Sequence, residues 1–202
     1  MLDCYNSKNH KVVEHLVALG GEQSTECAAV FDETDWAREL QWTSSLFEPF
    51  KCKTTLTHGD TNFLNILVKN FPGECATSLI DFETATYSYR GIDIGGHFLE
   101  RMYDWSLPES KLTGYPAPDI VERRSFCESY RQEMQILGTM GIEDTVEQLV
   151  LESQIGQMHQ LISVTLMVLV LDDVEEDPFF LEGQTHMMRL YHQLKKEFQE
   201  SR

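Results

Sequence analysis

The sequence predicts an α+β chain that is mainly helical, with a small β-hairpin at the edge where its polar chemistry gathers. Three observations carry this. Apolar residues recur at helical spacing over most of residues 120–198. Two short β-prone runs, Thr54-Thr55-Leu56-Thr57 and Ile66-Leu67-Val68, flank a polar loop holding His58, Asp60 and Asn65. A third apolar pair, Leu79-Ile80, then returns to deliver Asp81 and Glu83.

In chain order, Val12-Val13-x-x-Leu16-Val17-x-Leu19 is amphipathic, and Gly20-Gly21 supplies the backbone freedom of a helix stop. Trp36, Leu40, Leu46 and Phe47 predict a helix within 32–50, capped by Asp32 or Thr34 and closed by Pro49. Strand Ile66–Val68 turns through Lys69-Asn70-Phe71-Pro72-Gly73, and its partner ends at Asp81. The two polar clusters therefore lie on neighbouring ends of one hairpin. Asp93 is expected near the start of a helix carrying His97, Glu100 and Asp104 on nearby turns. A Pro/Gly loop over 107–118 precedes helices at about 120–137, 143–171 and 179–198. Residues 1–31 read as an extension or lobe-linking helix and 32–202 as the main lobe.

The polar loop carries the most specific signal. An acid, an amide five residues on and a second acid on a following strand suit a site that activates a hydroxyl beside Mg²⁺. His58-x-Asp60, Asn65 and Asp81-Phe82 reproduce the layout of catalytic loop and metal strand in protein-kinase-like phosphotransferases. Asp60 is the catalytic candidate, as base or orienter of the hydroxyl. Asn65 and Asp81 offer the hard oxygens that Mg²⁺ takes. His58, Glu83 and Asp93 are supporting residues: His58 through hydrogen bonds, Glu83 by joining the metal site or bracing it.

A second set, Asp93, Glu100 and Asp104, is interleaved with Tyr87, Tyr89, Tyr103 and Trp105. Carboxylates with aromatic faces can hold an amine or quaternary ammonium. The competing reading is a solvated helix face with aromatics packed in the core.

Composition narrows the partners. The chain has 202 residues, 42% apolar, and a formal net charge of −17. That is one ordinary domain or one large lobe of an enzyme, and its field repels nucleic acid and anionic lipid. ATP, also an anion, would need Mg²⁺ and local cations, whereas a cationic substrate is favoured. The five cysteines are odd in number, widely spaced and without zinc-ligand spacing, and no secretory signal opens the chain. Reduced thiols and a cytoplasmic location are expected. The apolar run 162–171 is too short to span a bilayer and reads as a buried helix.

His58-x-Asp60-x-x-x-x-Asn65-Ile66-Leu67, Ile80-Asp81-Phe82-Glu83 and Tyr87-x-Tyr89-Arg90-Gly91-x-Asp93-Ile94-Gly95-x-His97-Phe98-x-Glu100 together resemble the choline/ethanolamine kinase family. The resemblance runs from about Trp36 to the end, with Tyr191-His192-Gln193 also fitting, and favours the choline branch. It implies ATP-dependent phosphorylation of choline or ethanolamine for phospholipid head-group synthesis. By position it makes Asp60 the catalytic acid, Asn65 and Asp81 the Mg²⁺ ligands, and Glu100, with Tyr103 and Trp105, part of the amine pocket.

Gly59 and Gly96 stand where the family usually has Asn, and no Trp follows Trp105, although the family's pocket uses tryptophans on a late helix. The matching segment, 158–169, is aliphatic with His159, and Phe179 and Phe180 are candidate replacements. Such kinases clamp ATP beneath a β-rich amino-terminal lobe, yet the roughly fifty residues ahead of the loop hold no Gly-rich turn after a strand. The expectation is therefore a kinase-like carboxyl-terminal lobe lacking its ATP lobe. Either it is a phosphotransferase or it is a binding module, as a homodimer or paired with a full-length relative.

Overall fold

The computed structural model describes residues 2–69, 77–104, 106, 112–170 and 183–201. Their elements are α1 (Leu2–Leu19), α2 (Glu22–Asp32), α3 (Trp36–Leu46), β1 (Thr54–Thr57), a 3₁₀ turn (Phe63–Asn65), β2 (Ile66–Val68), β3 (Thr77–Leu79), β4 (Thr86–Tyr89), α4 (Arg90–Glu100), α5 (Ile120–Ile136), α6 (Val146–Val170) and α7 (Thr185–Glu200). The mainly helical reading holds. The chain forms two compact units: Met1–Leu46 with Asp104–Leu112 and Met158–Arg202, and Phe47–Tyr103 with Thr113–Gln157.

In the first unit, α1 ends where Gly20 and Gly21 adopt φ of 67° and 87°, as the glycine pair predicts. Helix α2 was not foreseen: its first half, Glu-Gln-Ser-Thr-Glu, is polar, and only Cys27, Ala28 and Phe31 mark a buried stripe. Asp32 consequently ends α2 instead of capping the next helix. The cap of α3 is Asp35, whose Oδ1 accepts the Arg38 N–H at 3.1 Å, while the Thr34 hydroxyl donates back to the Val30 carbonyl. Trp36 is buried against the Phe31 ring, centroids 5.0 Å apart. Glu39 of α3 accepts the Tyr191 hydroxyl and the Lys195 ammonium of α7, and that ammonium lies 4.7 Å from the Trp42 ring. Of the apolar run expected to be a buried helix, Ile162 and Leu166 of α6 are buried and Met167 is exposed. No helix among the described residues is long and apolar enough to cross a membrane.

The second unit holds the sheets. The expected hairpin exists, with Ile66 opposite Leu79 and Val68 opposite Thr77; residues 70–73 of the anticipated turn lie outside the described residues. A second two-stranded sheet was not anticipated: β1 pairs antiparallel with β4, Thr54 opposite Tyr89 and Thr57 opposite Thr86. Thr86-Tyr87-Ser88-Tyr89 has the alternation and β-prone residues of a strand, and Tyr89 stacks on Phe47 at 4.2 Å. Helix α4 starts at Arg90, which places Asp93 in its first turn; Asp104 lies beyond its end.

Ile94 and Phe98 of α4 form a core with Cys127, Leu149 and Val150, flanked by Phe126, Tyr130 and Val146. Helix α5 begins in a capping box, Asp119 with Glu122. Helices α4 and α6 touch through backbone: a Cβ on Gly91 would run into the Glu152 carbonyl, and one on Gly156 into the Gly91 carbonyl. Beside this contact Arg90 is buried, with Nε 2.7 Å from Glu152 Oε2, Nη2 2.9 Å from Glu152 Oε1, and Nη1 2.5 Å from Asp144 Oδ1. Lys53 Nζ adds a bond of 2.7 Å to Asp144 Oδ2. Two cations thus balance two buried carboxylates, the condition for keeping such charges out of water. Burial would raise the Asp144 pKa, but hydrogen bonds from Lys53, the Gly141 N–H and Arg90 hold it below the usual value.

Cys27, Cys52 and Cys127 are free thiols, as expected, and burial pushes Cys52 up to about 12 and Cys127 to about 11. They are protonated and unreactive at neutral pH.

Candidate active site

Strand β1 leads into the loop, and Asp93 anchors the loop's first residues. Its Oδ2 accepts the His58 N–H at 2.7 Å and its Oδ1 the Gly59 N–H at 2.9 Å. The Asp93 carbonyl also accepts the Thr61 hydroxyl at 3.2 Å. One carboxylate thus satisfies two consecutive backbone donors that the end of β1 leaves without strand partners. His97, one turn further along α4, hydrogen-bonds to the Thr61 backbone, and burial lowers its pKa. Its ring lies between Phe63, at 6.1 Å, and Phe126, at 5.3 Å. One face of α4 therefore carries the loop.

His58 is a hydrogen-bonding hub. Its Nδ1 accepts the Asp60 N–H at 3.3 Å, which leaves Nε2 to carry the proton and donate to the Ile80 carbonyl at 2.8 Å. This bond ties β3 to the loop immediately before Asp81.

Asp60 is fixed by two side-chain amides. Asn62 Nδ2 donates to its Oδ1 at 2.7 Å, and Asn65 Nδ2 to its Oδ2 at 2.9 Å and to its carbonyl at 3.0 Å. Asn62 was not singled out from the sequence. Its Oδ1 also accepts the Leu64 and Asn65 N–H groups, so it caps the 3₁₀ turn that presents Asn65. The signal available was Asp-x-Asn ahead of a short turn, an Asx pattern. With Nδ2 engaged, the Asn65 amide has its oxygen left as an acceptor.

Asp81 follows the hairpin bond from the Ile80 N–H to the Asn65 carbonyl, 3.0 Å, which sets it at the strand end next to Asn65. Its φ is 64°, a left-handed conformation rare outside glycine and most tolerated by Asn and Asp. Its carboxylate is exposed, and Glu83 lies in the exposed turn that follows.

Among the described residues no group of three or more His, Cys, Asp or Glu is arranged to hold a metal ion. Asn65 and Asp81 carry an amide and a carboxylate oxygen, the donor types that Mg²⁺ takes in nucleotide sites, where one or two protein oxygens suffice and water and phosphate complete the shell.

Glu100 is the last residue of α4, about 10 Å along the helix from Asp93 at 1.5 Å per residue, and Tyr103 lies beyond the helix end. Glu100 is half-buried and Tyr103 is buried in the core; burial, with the nearby Glu100 charge, raises the Tyr103 pKa. The structure gathers His58, Asp60, Asn65, Asp81 and Asp93 into one site. Trp105, Phe179 and Phe180 lie outside the described residues.

The family model for choline/ethanolamine kinase matches residues 6–179. The chain belongs to the choline/ethanolamine kinase family. It is 32% identical over 105 residues to a choline/ethanolamine kinase of Homo sapiens, covering 49% of this chain and 26% of that protein. Choline kinase alpha of Mus musculus is 32% identical over 103 residues, 48% of this chain and 23% of that protein. The aligned segment spans about a quarter of these curated relatives.

Among solved structures, Plasmodium vivax ethanolamine kinase aligns with 93% of this chain and 48% of its own at TM-score 0.57 and 22% identity. A choline kinase from Cryptosporidium parvum aligns with 99% of this chain and 57% of its own at TM-score 0.59 and 18% identity. At these identities the likeness establishes a choline/ethanolamine kinase-like fold.

Proposed function

We propose that this chain carries the phosphoryl-transfer site of an ATP-dependent choline or ethanolamine kinase, in the carboxyl-terminal lobe of a kinase-like architecture. The observation that carries this reading is the Asp60–Asn65 pair: one amide orients the acid, and the backbone carbonyl of the same Asn65 accepts the Ile80 N–H, immediately before Asp81. Asp60, restrained by Asn62 and Asn65, takes or orients the proton of the substrate hydroxyl. Asn65 and Asp81 would hold Mg²⁺, which when bound neutralises charge on the phosphates. Glu100, half-buried at the end of α4, would meet the cationic head group. The net charge of −17 favours such a cation over an anionic acceptor. Glu83 would join the metal site or brace it, and a soluble cytoplasmic site of action agrees with the reading.

Transfer of label from γ-labelled ATP to choline or ethanolamine by the whole chain tests it. Turnover abolished by Asp60→Ala supports the assignment, and turnover unchanged in that variant refutes it.

A second reading, a binding module that pairs with an intact relative, is favoured by one observation. Leu67, Val68, Leu79, Ile80 and Phe82 are exposed apolar side chains on the hairpin and the turn after it. Absence of turnover together with co-purification of a full-length kinase would select it.

A further inference from the structure

We propose that Thr84 is a positioning residue whose hydroxyl latches the turn after Asp81 onto the His58–Asn65 loop and so keeps the Asp81 carboxylate beside Asn65. The proposal rests on the metal-site reading of Asn65 and Asp81 and adds a residue that neither the motif pattern nor the family resemblance assigns.

Asp81 needs a restraint. A non-glycine residue at φ 64° persists where the surrounding structure fixes both of its flanks. The upstream flank is held by the Ile80 N–H on the Asn65 carbonyl and by His58 Nε2 on the Ile80 carbonyl. The downstream flank is a tight turn, closed by the Ala85 N–H on the Phe82 carbonyl at 3.0 Å. Two contacts join that turn to the loop: the Thr84 hydroxyl donates to the His58 carbonyl at 2.8 Å, and the Phe82 ring lies 4.7 Å from the His58 ring. His58 therefore grips Asp81 from both sides, and between Asp81 and the start of β4, where Thr86 pairs with Thr57, the one hydrogen bond to the loop seen among the described residues is the Thr84 hydroxyl's.

Gly59 makes the approach possible. Its φ is 85°, and a Cβ there would come within 2.8 Å of the Thr84 carbonyl and 2.9 Å of its hydroxyl. Any larger residue at position 59 would push the turn off the loop. Gly59 and Thr84 are thus a matched pair, and the glycine that departs from the family pattern has a structural reason in this chain.

The test uses the whole, isotope-labelled chain and three substitutions. Thr84→Val removes the hydroxyl but keeps the β-branched shape, Thr84→Ser keeps the hydroxyl, and Gly59→Ala crowds the turn. The readouts are the Asp81 backbone φ from NMR couplings and shifts, and the Mn²⁺ dissociation constant from calorimetry. Thr84→Val and Gly59→Ala are expected to release Asp81 from positive φ and to weaken Mn²⁺ binding about tenfold, the loss of one hydrogen bond. Thr84→Ser should stay within about twofold of the unsubstituted chain. An Asp81 φ and Mn²⁺ affinity unchanged in Thr84→Val would overturn the proposal. If the unsubstituted chain binds no Mn²⁺, the metal reading fails by itself, and the Asp81 backbone decides the latch: φ moved in Thr84→Val supports it, φ unmoved overturns it.

Discussion

Asp93 makes the sharpest stability prediction, because one side chain holds two backbone donors of the loop. Its bonds to the His58 and Gly59 N–H groups, 2.7 and 2.9 Å, are charge-assisted and half-buried. Such a bond contributes about 1.5–3 kcal/mol, so Asp93→Ala should cost roughly 3–5 kcal/mol, a large share of a typical domain's stability. Asp93→Asn is the more useful variant. It keeps one acceptor oxygen but turns an NH₂ towards the second N–H, leaving that donor unpaired, for a loss of about 2–3 kcal/mol. Urea unfolding should show a lower midpoint with an unchanged slope, and amide exchange should accelerate selectively at His58 or Gly59. An Asn variant within about 0.5 kcal/mol of the parent, with both amides still protected, would refute the anchoring role.

Glu152→Gln should destabilise the chain by about 3 kcal/mol in the same unfolding assay, because it leaves the buried Arg90 guanidinium with Asp144 as its remaining carboxylate partner. A loss below about 1 kcal/mol would show that the network is readily replaced. His159 predicts an acid limb. Burial lowers its pKa to about 4, whereas the unfolded chain titrates near 6.5. Between those values the unfolded state binds the proton that the native state refuses. Stability should therefore fall by up to roughly 3 kcal/mol as pH drops from 6.5 to 4. His159→Gln should flatten this limb, and an unaltered profile would contradict the assignment.

The parts of the site legible in the sequence are those whose chemistry is local. His58, Asp60 and Asn65 lie within one turn of chain, and the Leu79-Ile80 run announces its own return to Ile66. The glycine stop at Gly20 and the buried character of 162–166 were readable for the same reason, since each is set by neighbouring residues. What escaped depends on distant partners. Nothing near Asp93 shows that its carboxylate reaches back to the His58 and Gly59 backbone. Nothing in the sequence around Arg90, Asp144 and Glu152 shows that folding brings them together. Strand β4 hid within an aromatic block that also suits a binding pocket, and α2 lacked the apolar repeat that would mark it. Thr84 resembles any turn threonine; its meaning comes from the missing Cβ of Gly59.

The central claim, that Asn65 and Asp81 form one Mg²⁺ site beside Asp60, is tested most directly by paramagnetic broadening on titration with Mn²⁺. The account predicts early loss of the Asn65 side-chain amide and the Asp81 backbone signals, with Asp60 and Ile80 following and α5 unaffected. Uniform broadening, or early loss centred on another acidic stretch, would contradict it.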